Sequence, residues 1–241
     1  MNVVAIIQAR MSSTRLPGKV MRDIAGQSML SHAVRRTQSS SRVNEVVVAT
    51  TVESSDDIIV EECRRIGVAV FRGSHDDVLD RYFRAAVLHQ ADAIVRITSD
   101  CPLTDPALVD EHVRCLEERW QEVDFVTNMM RETFPLGLAV EVMPFDVLAR
   151  MQRMTTTPQL REHVTTLAYV KPEWFVVDHV LNDTNLASMR WTVDTLEDLE
   201  LVRNIFTELG PESLSWRDAL RAFNQHPEWQ EINRHVRQKS L

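Results

Sequence analysis

The chain has 241 residues, 44% of them hydrophobic, which is enough for one substantial domain with its own core, and a net charge of −8. That charge disfavours nucleic acid as a partner, and no apolar run approaches the ~20 residues of a membrane span. Cys63, Cys101 and Cys115 lack C-x-x-C spacing, which argues against a disulfide framework or a zinc site and fits a reducing cytoplasm. The start reads as a strand, without a charged leader and cleavage site, so no signal peptide is expected. Charge is unevenly spread. Residues 1–44 carry seven Arg and Lys against Asp23 alone, a balance of +6, so the remaining chain carries −14 to give the net −8. A cationic segment on an acidic chain points to a local anion site, because such fields act over a Debye length of ~8 Å.

Val3 to Ile7 is a short β-branched run that predicts a strand buried on both faces. The polar segment Gln8 to Lys19 follows, with Arg10, Arg15 and Lys19 and a turn at Pro17-Gly18. Ser12, Ser13 and Thr14 are small enough to let backbone N–H groups face an anion, and three close cations favour a polyphosphate. The alternative is a solvated loop paired with surface acids. Ser13 stands where a Walker loop needs glycine, and no G-x-G-x-x-G occurs.

Ser28 is expected to cap a helix to about Ser39, Glu45 to Thr50 to form the second strand, and Ser54 or Ser55 to cap a helix ending at Gly67. Val68 to Phe71 completes a strand-helix-strand-helix-strand run, the grammar of a parallel sheet. Ser74 and Asp77 fit a capping box. Asp76, Asp77 and Asp80 either bind a metal or, better, complement the helix dipole, with Asp77–Arg81 as an i,i+4 pair. Ala93 to Thr98 is the fourth strand, and Arg96 on it either supports the fold or touches a nucleotide. Asp100 sits just past that strand, where it either holds a metal or caps a turn before Pro102. Asp105-Pro106 starts a helix to about Arg119. Val123 to Asn128 reads as a strand, Thr133 to Val142 as a hairpin arm or edge, and Pro144 to Met154 and Pro158 to Tyr169 as helices. His163 serves as a general base or orients a neighbour. Trp174 to His179 and Met189 to Val193 read as late strands. Asp194 then either caps the next helix, boxed with Glu197, or binds a metal. The tail from Ser215 reads as two helices broken at His226-Pro227.

QARMSSTRLPGKV, at Gln8 to Val20, resembles the signature loop of the cytidylyltransferases that activate acidic sugars: the spore-coat polysaccharide type first, then the 3-deoxy-manno-octulosonate and N-acylneuraminate types. The likeness continues at Arg72 to Ala86, Arg96 to Leu103, Arg161 to Thr165 and Thr192 to Leu201. It implies one α/β domain of the nucleotide-diphosphosugar-transferase (GT-A-like) type. The sheet would be mixed and mostly parallel, with flanking helices, a hairpin arm at about 130–145 and a helical tail at 215–241. It implies CTP bound by Ala9, Arg10, Met11, Ser12, Arg15, Lys19, Arg72, Arg96 and Ser99, with Lys19, Arg10 and Asp100 catalytic. Mg²⁺ would sit on Asp100 and Asp194, and the acceptor beside Asn128, Gly137, Glu141, Arg161 and His163. A homodimer is also implied. Leu136 and Ala139 depart from the pattern, which commonly has arginine and aspartate there.

The expected reaction joins CTP to an acidic sugar and releases pyrophosphate. Two alternatives remain open. One is a nucleotidyltransferase for another nucleotide or a non-sugar acid such as a phosphonate; the other is a catalytically reduced nucleotide-binding subunit.

Overall fold

The structure, a computed structural model, describes residues 1–210, 212–213 and 215–238. Its centre is a seven-stranded sheet built from the β-branched runs. β1 (Val3–Gln8) pairs in parallel with β4 (Glu45–Thr51) and β6 (Ala93–Thr98), and β5 (Ala69–Gly73) pairs in parallel with β4 on its far side. A two-stranded ribbon, β2 (Asp23–Ile24) and β3 (Gln27–Ser28), lies apart from the sheet. Successive residues of β1 face opposite layers. Val3, Ala5 and Ile7 pack into a core with helices α1 (Met29–Gln38), α2 (Asp57–Ile66), α4 (Pro106–Glu118), α8 (Leu196–Leu209) and α9 (Trp216–Gln225). Val4 and Ile6 enter a second core with α3 (Val78–Leu88), α5 (Phe145–Met154) and α7 (Thr166–Val170). The chain is therefore a three-layer α/β domain with a parallel half, as the run of strands and helices predicts.

The other half of the sheet departs from expectation in part: strands do form within Val123 to Asn128 and Trp174 to His179, at Phe125–Thr127 and Val177–His179. Residues 130–145 form no hairpin arm. Instead β8 (Glu141–Pro144) runs antiparallel between β6 and β7 (Phe125–Thr127), and all four of its residues are buried. Val142 and Met143 face opposite cores, so the apolar run marks burial on both faces rather than an edge. β9 (Val177–His179) is the edge strand on β7. Met189 to Val193 forms no strand. It makes a single bridge, Leu136 to Arg190, with further backbone bonds to Leu136 and Asp100.

The helix expected over Pro158 to Tyr169 splits into α6 (Pro158–Arg161) and α7. Val164 between them has φ 51° and is fully buried. Seating this β-branched side chain in the core overrides helical continuity. The helix after Asp194 is capped one residue late. Thr195 is its N-cap and Asp198 completes the box, rather than Asp194 with Glu197. Asp77 does cap α3, but its carboxylate pairs with Arg161, and buried Arg81 turns to the Ser74 carbonyl. The tail forms α9 and α10 (Trp229–Ile232), parted at His226-Pro227. No helix among the described residues is long and apolar enough to cross a membrane.

Candidate active site

β1, β4 and β6 end side by side, so the loops that leave them meet at one edge of the sheet, where open α/β sheets take ligands. Ala9 and Ser99 continue the ladder briefly: Ala9 N donates to Ala49 O at 3.2 Å and Ser99 N to Gln8 O at 3.2 Å. Asp56, only 1% exposed, holds the first loop from below. It accepts from Met11 N at 2.8 Å and from the Thr50 and Thr51 hydroxyls. Met11 O takes the N–H groups of Ser13 and Gly18, which folds the loop back on itself, while Ser12 lies exposed at the surface. Gly18, at φ 68°, makes the turn that starts a short 3-10 helix carrying Lys19 inward.

Lys19 then reaches across the edge. Its Nζ lies 2.8 Å from Asp100 Oδ2, 2.8 Å from Asp194 Oδ1 and 2.9 Å from Val193 O. The two carboxylates thus converge on one ammonium. Arg15 meets the second oxygen of Asp194 at 2.7 Å, and so does Arg190. Arg190 also grips Asp198 through Nε at 2.9 Å and Nη2 at 3.0 Å. Three cations, Arg15, Lys19 and Arg190, face three carboxylates, Asp100, Asp194 and Asp198, so the cluster is balanced without a ligand. Burial opposes the charge on Lys19, but Asp100 and Asp194 outweigh it and raise the ammonium above its usual value. Burial likewise opposes the Asp100 carboxylate, and Lys19 pulls it below the usual range. Cys101 beside it is inert, its thiol pushed up to about 12 by burial and by Asp100.

Arg10 stands outside this cluster, 3.5 Å from Glu162. It and Arg96 both act electrostatically on exposed His163, whose imidazole is lowered by burial of its inner side and by these two cations, against Glu162. Arg96 pairs with buried Glu141 across the β6–β8 register. Glu141 also accepts from Tyr169 Oη at 2.6 Å and from Thr165 Oγ1 at 3.1 Å. Glu141, Arg96 and His163 therefore form a second polar group along the same sheet edge.

Other expected site residues are committed to the fold. Arg72 turns back to Asp57 and to the carbonyls of Thr51 and Glu53. Arg161 joins Asp77 to Gln152 and Thr155, tying α6 to α3 and α5. The Asn128 amide donates to Leu138 O and accepts from Val140 N, so it shapes the loop before β8. Gly137, at φ +117°, presses against the Trp191–Thr192 peptide; a Cβ there would lie 2.5 Å from Thr192 N. Leu136 and Ala139, at the departures from the expected pattern, are half-buried. The sequence pattern missed Asp56, Arg190, Asp198 and Tyr169. Two of them carried a signal: Arg190, since 190, 192 and 194 alternate toward one side of an extended segment, and Asp198, which stands at capping-box spacing from Thr195.

Comparison with known proteins agrees with this geometry. The spore coat polysaccharide biosynthesis protein SpsF of Bacillus subtilis is 30% identical over 94% of this chain and 96% of its own. The 3-deoxy-manno-octulosonate cytidylyltransferase of Geobacter sulfurreducens is 42% identical, over 49% of this chain and 46% of its own. The solved structure of a cytidylyltransferase from Leptospira borgpetersenii matches with a TM-score of 0.92 and 32% identity, covering all of both chains. The family model described as cytidylyltransferase matches residues 4–223, which take in the cation loop, both converging aspartates and the sheet edge between them, and the chain belongs to that family.

Proposed function

We propose that this protein transfers CMP from CTP to an acidic sugar, releasing pyrophosphate, in the synthesis of a surface polysaccharide. The observation that carries the reading is the convergence of Lys19, Asp100 and Asp194, 81 and 175 residues apart in sequence, at one sheet edge. The loop from Ala9 through Met11 and Ser12 would wrap a triphosphate, with the cations Arg10 and Arg15 beside it. The acceptor's hydroxyl oxygen attacks the α-phosphorus in line. The bond from that phosphorus to the β-phosphate oxygen breaks, and the hydroxyl proton leaves to solvent or a nearby base. Such a transfer rests on positioning and charge neutralisation.

Mg²⁺ is the cofactor proposed. Asp100 and Asp194 would hold it; what supports this reading is that both carboxylates already accept one cation, the Lys19 ammonium. No group of three or more His, Cys, Asp or Glu among the described residues could hold a metal; two carboxylates completed by phosphate oxygens are what Mg²⁺ ordinarily takes. When bound, the ion would offset the repulsion between triphosphate and an anionic acceptor. Lys19, released from the carboxylates, would meet the leaving pyrophosphate. The Glu141–Arg96–His163 group is the part of the sheet edge we assign to reading the acceptor's carboxylate. A cytoplasmic homodimer completes the proposal, on the family resemblance.

The half-buried, uncharged Leu136 and Ala139 favour a second reading on the acceptor side, with a non-sugar acid in place of the sugar. The test is pyrophosphate release with Mg²⁺, each of four nucleoside triphosphates and a panel of sugar acids and phosphonates. Release with CTP and a sugar acid is expected. A preference for ATP or UTP overturns the cytidine assignment, release with a phosphonate alone moves the acceptor, and CTP binding with silence across the panel favours a nucleotide-binding subunit.

A further inference from the structure

We propose that Asn233, on the C-terminal tail, is a positioning residue for Asp194 and acts through Asp198 and Arg190. The proposal rests on Asp194 as a metal carboxylate. Asn233 follows α10 and is 5% exposed. Its side-chain nitrogen donates one hydrogen to Asp198 Oδ1 at 2.8 Å and the other to the Arg190 carbonyl at 2.9 Å.

Asp198 is the hub that this amide steadies. Its side chain is fully buried. It accepts from the backbone N–H of Asp194 at 2.9 Å and of Thr195 at 3.1 Å, and from Arg190 through two nitrogens. Arg190 in turn sets the second oxygen of Asp194 and reaches Gln238 through Nη1 at 2.7 Å. Both the backbone and the carboxylate of Asp194 are therefore aimed by groups that Asn233 touches. An amide suits this place because it supplies two donors and no charge. A lysine would unbalance the three-against-three cluster, and an aspartate would repel Asp198. The family match ends at residue 223, ten residues before Asn233, so this contribution to the site comes from beyond the matched segment.

Partners that orient a metal-binding carboxylate without touching the ion commonly set affinity by about 10- to 100-fold. The test uses the full chain with CTP and Mn²⁺ and no acceptor, so that nothing turns over. Water-proton relaxation reads binding of the Mn²⁺–CTP complex; calorimetry in EDTA reads CTP alone. Asn233→Ala should weaken Mn²⁺–CTP binding by about tenfold, leave metal-free CTP binding close to the parent's, and melt near the parent. Unchanged Mn²⁺–CTP binding by the folded variant overturns the proposal, as does an equal loss with and without metal. If Asn233→Ala does not fold, Asn233→Ser decides by the same two titrations, its hydroxyl filling the place while reaching one acceptor. Asp194→Asn is the separate control: if it binds Mn²⁺–CTP like the parent, the metal assignment of Asp194 fails, whatever Asn233 does.

Discussion

Replacing Lys19 with methionine keeps the length of the side chain and removes its charge. Lys19 is 9% exposed and is shared by two carboxylates, so its loss leaves Asp100 and Asp194 facing each other without their common cation. Removing one partner of a buried ion pair costs about 3–5 kcal/mol. The lower end applies here. Arg15 and Arg190 still cover Asp194, and the Asp100 side chain is 27% exposed and can draw on water. For a chain of this size each kcal/mol shifts the melting temperature by about 2–4 °C. A loss of about 3 kcal/mol therefore lowers the midpoint of Lys19→Met by about 6–12 °C in EDTA.

The same geometry fixes the response to Mg²⁺. With the ammonium gone, the two carboxylates are open to a divalent ion, and a ligand at 100 times its Kd returns about 2.7 kcal/mol. Scanning fluorimetry of parent and variant, with EDTA and with Mg²⁺ but no nucleotide, reads both effects. Mg²⁺ should stabilise Lys19→Met clearly more than the parent, in which Lys19 competes for the same oxygens. A variant that melts within about 2 °C of the parent in EDTA, or equal Mg²⁺ shifts in both proteins, would refute the placing of Lys19 at the ion's position.

Gly137→Ala should lose about 3 kcal/mol or more, because φ +117° is closed to alanine and the new Cβ would meet backbone 2.5 Å away at Thr192. Thermal unfolding at or near the parent midpoint would remove that close approach as a constraint. His112 is buried with Nδ1 donating to Leu108 O at 2.7 Å and Nε2 without a hydrogen-bond partner among the described residues, and burial lowers its pKa from 6.5 to about 4. The unfolded chain takes up the proton first as pH falls. Stability from this group is therefore complete above pH 6.5 and is lost progressively down to about 4, by about 3 kcal/mol in total. Urea titrations at pH 7 and pH 4.5 should show that slope in the parent and a flatter one in His112→Leu; matching slopes would reject the assignment.

The parallel half of the sheet was legible because Val3 to Ile7, Glu45 to Thr50 and Ala93 to Thr98 are rich in β-branched residues and amphipathic helices follow them, although the helix after Glu45 to Thr50 starts at Asp57 with no side-chain cap rather than from Ser54 or Ser55. The caps Ser28 and Asp105 read correctly for the same local reason. The other half was legible only in part: strands form within Val123 to Asn128 and Trp174 to His179 as expected, but the place of β8 did not show. β8 enters the sheet between β6 and the strand just before it in the chain, β7, and nothing in Glu141 to Pro144 distinguishes a central strand from an edge. Val164 breaks a helix to fill a cavity that only the assembled core defines. The cations and aspartates of the site stood out because charge at a strand end is unusual. Asp56 and Asn233 did not, because a polar residue that serves a buried neighbour looks in sequence like any surface residue. Arg72, Arg161 and Asn128 show the converse: polar residues near the edge whose bonds go to the scaffold.

The ionic cluster joins Arg15 and Lys19 to residues about 175 positions later. During translation at about 5–20 residues per second, roughly ten to thirty seconds separate the emergence of these cations from that of Asp194. During that interval Lys19 can already meet Asp100, 81 residues on, but the bonds of Lys19 and Arg15 to Asp194 cannot form. The Asp194 side of the cluster is thus the last to close, onto a loop and a strand edge made well before it.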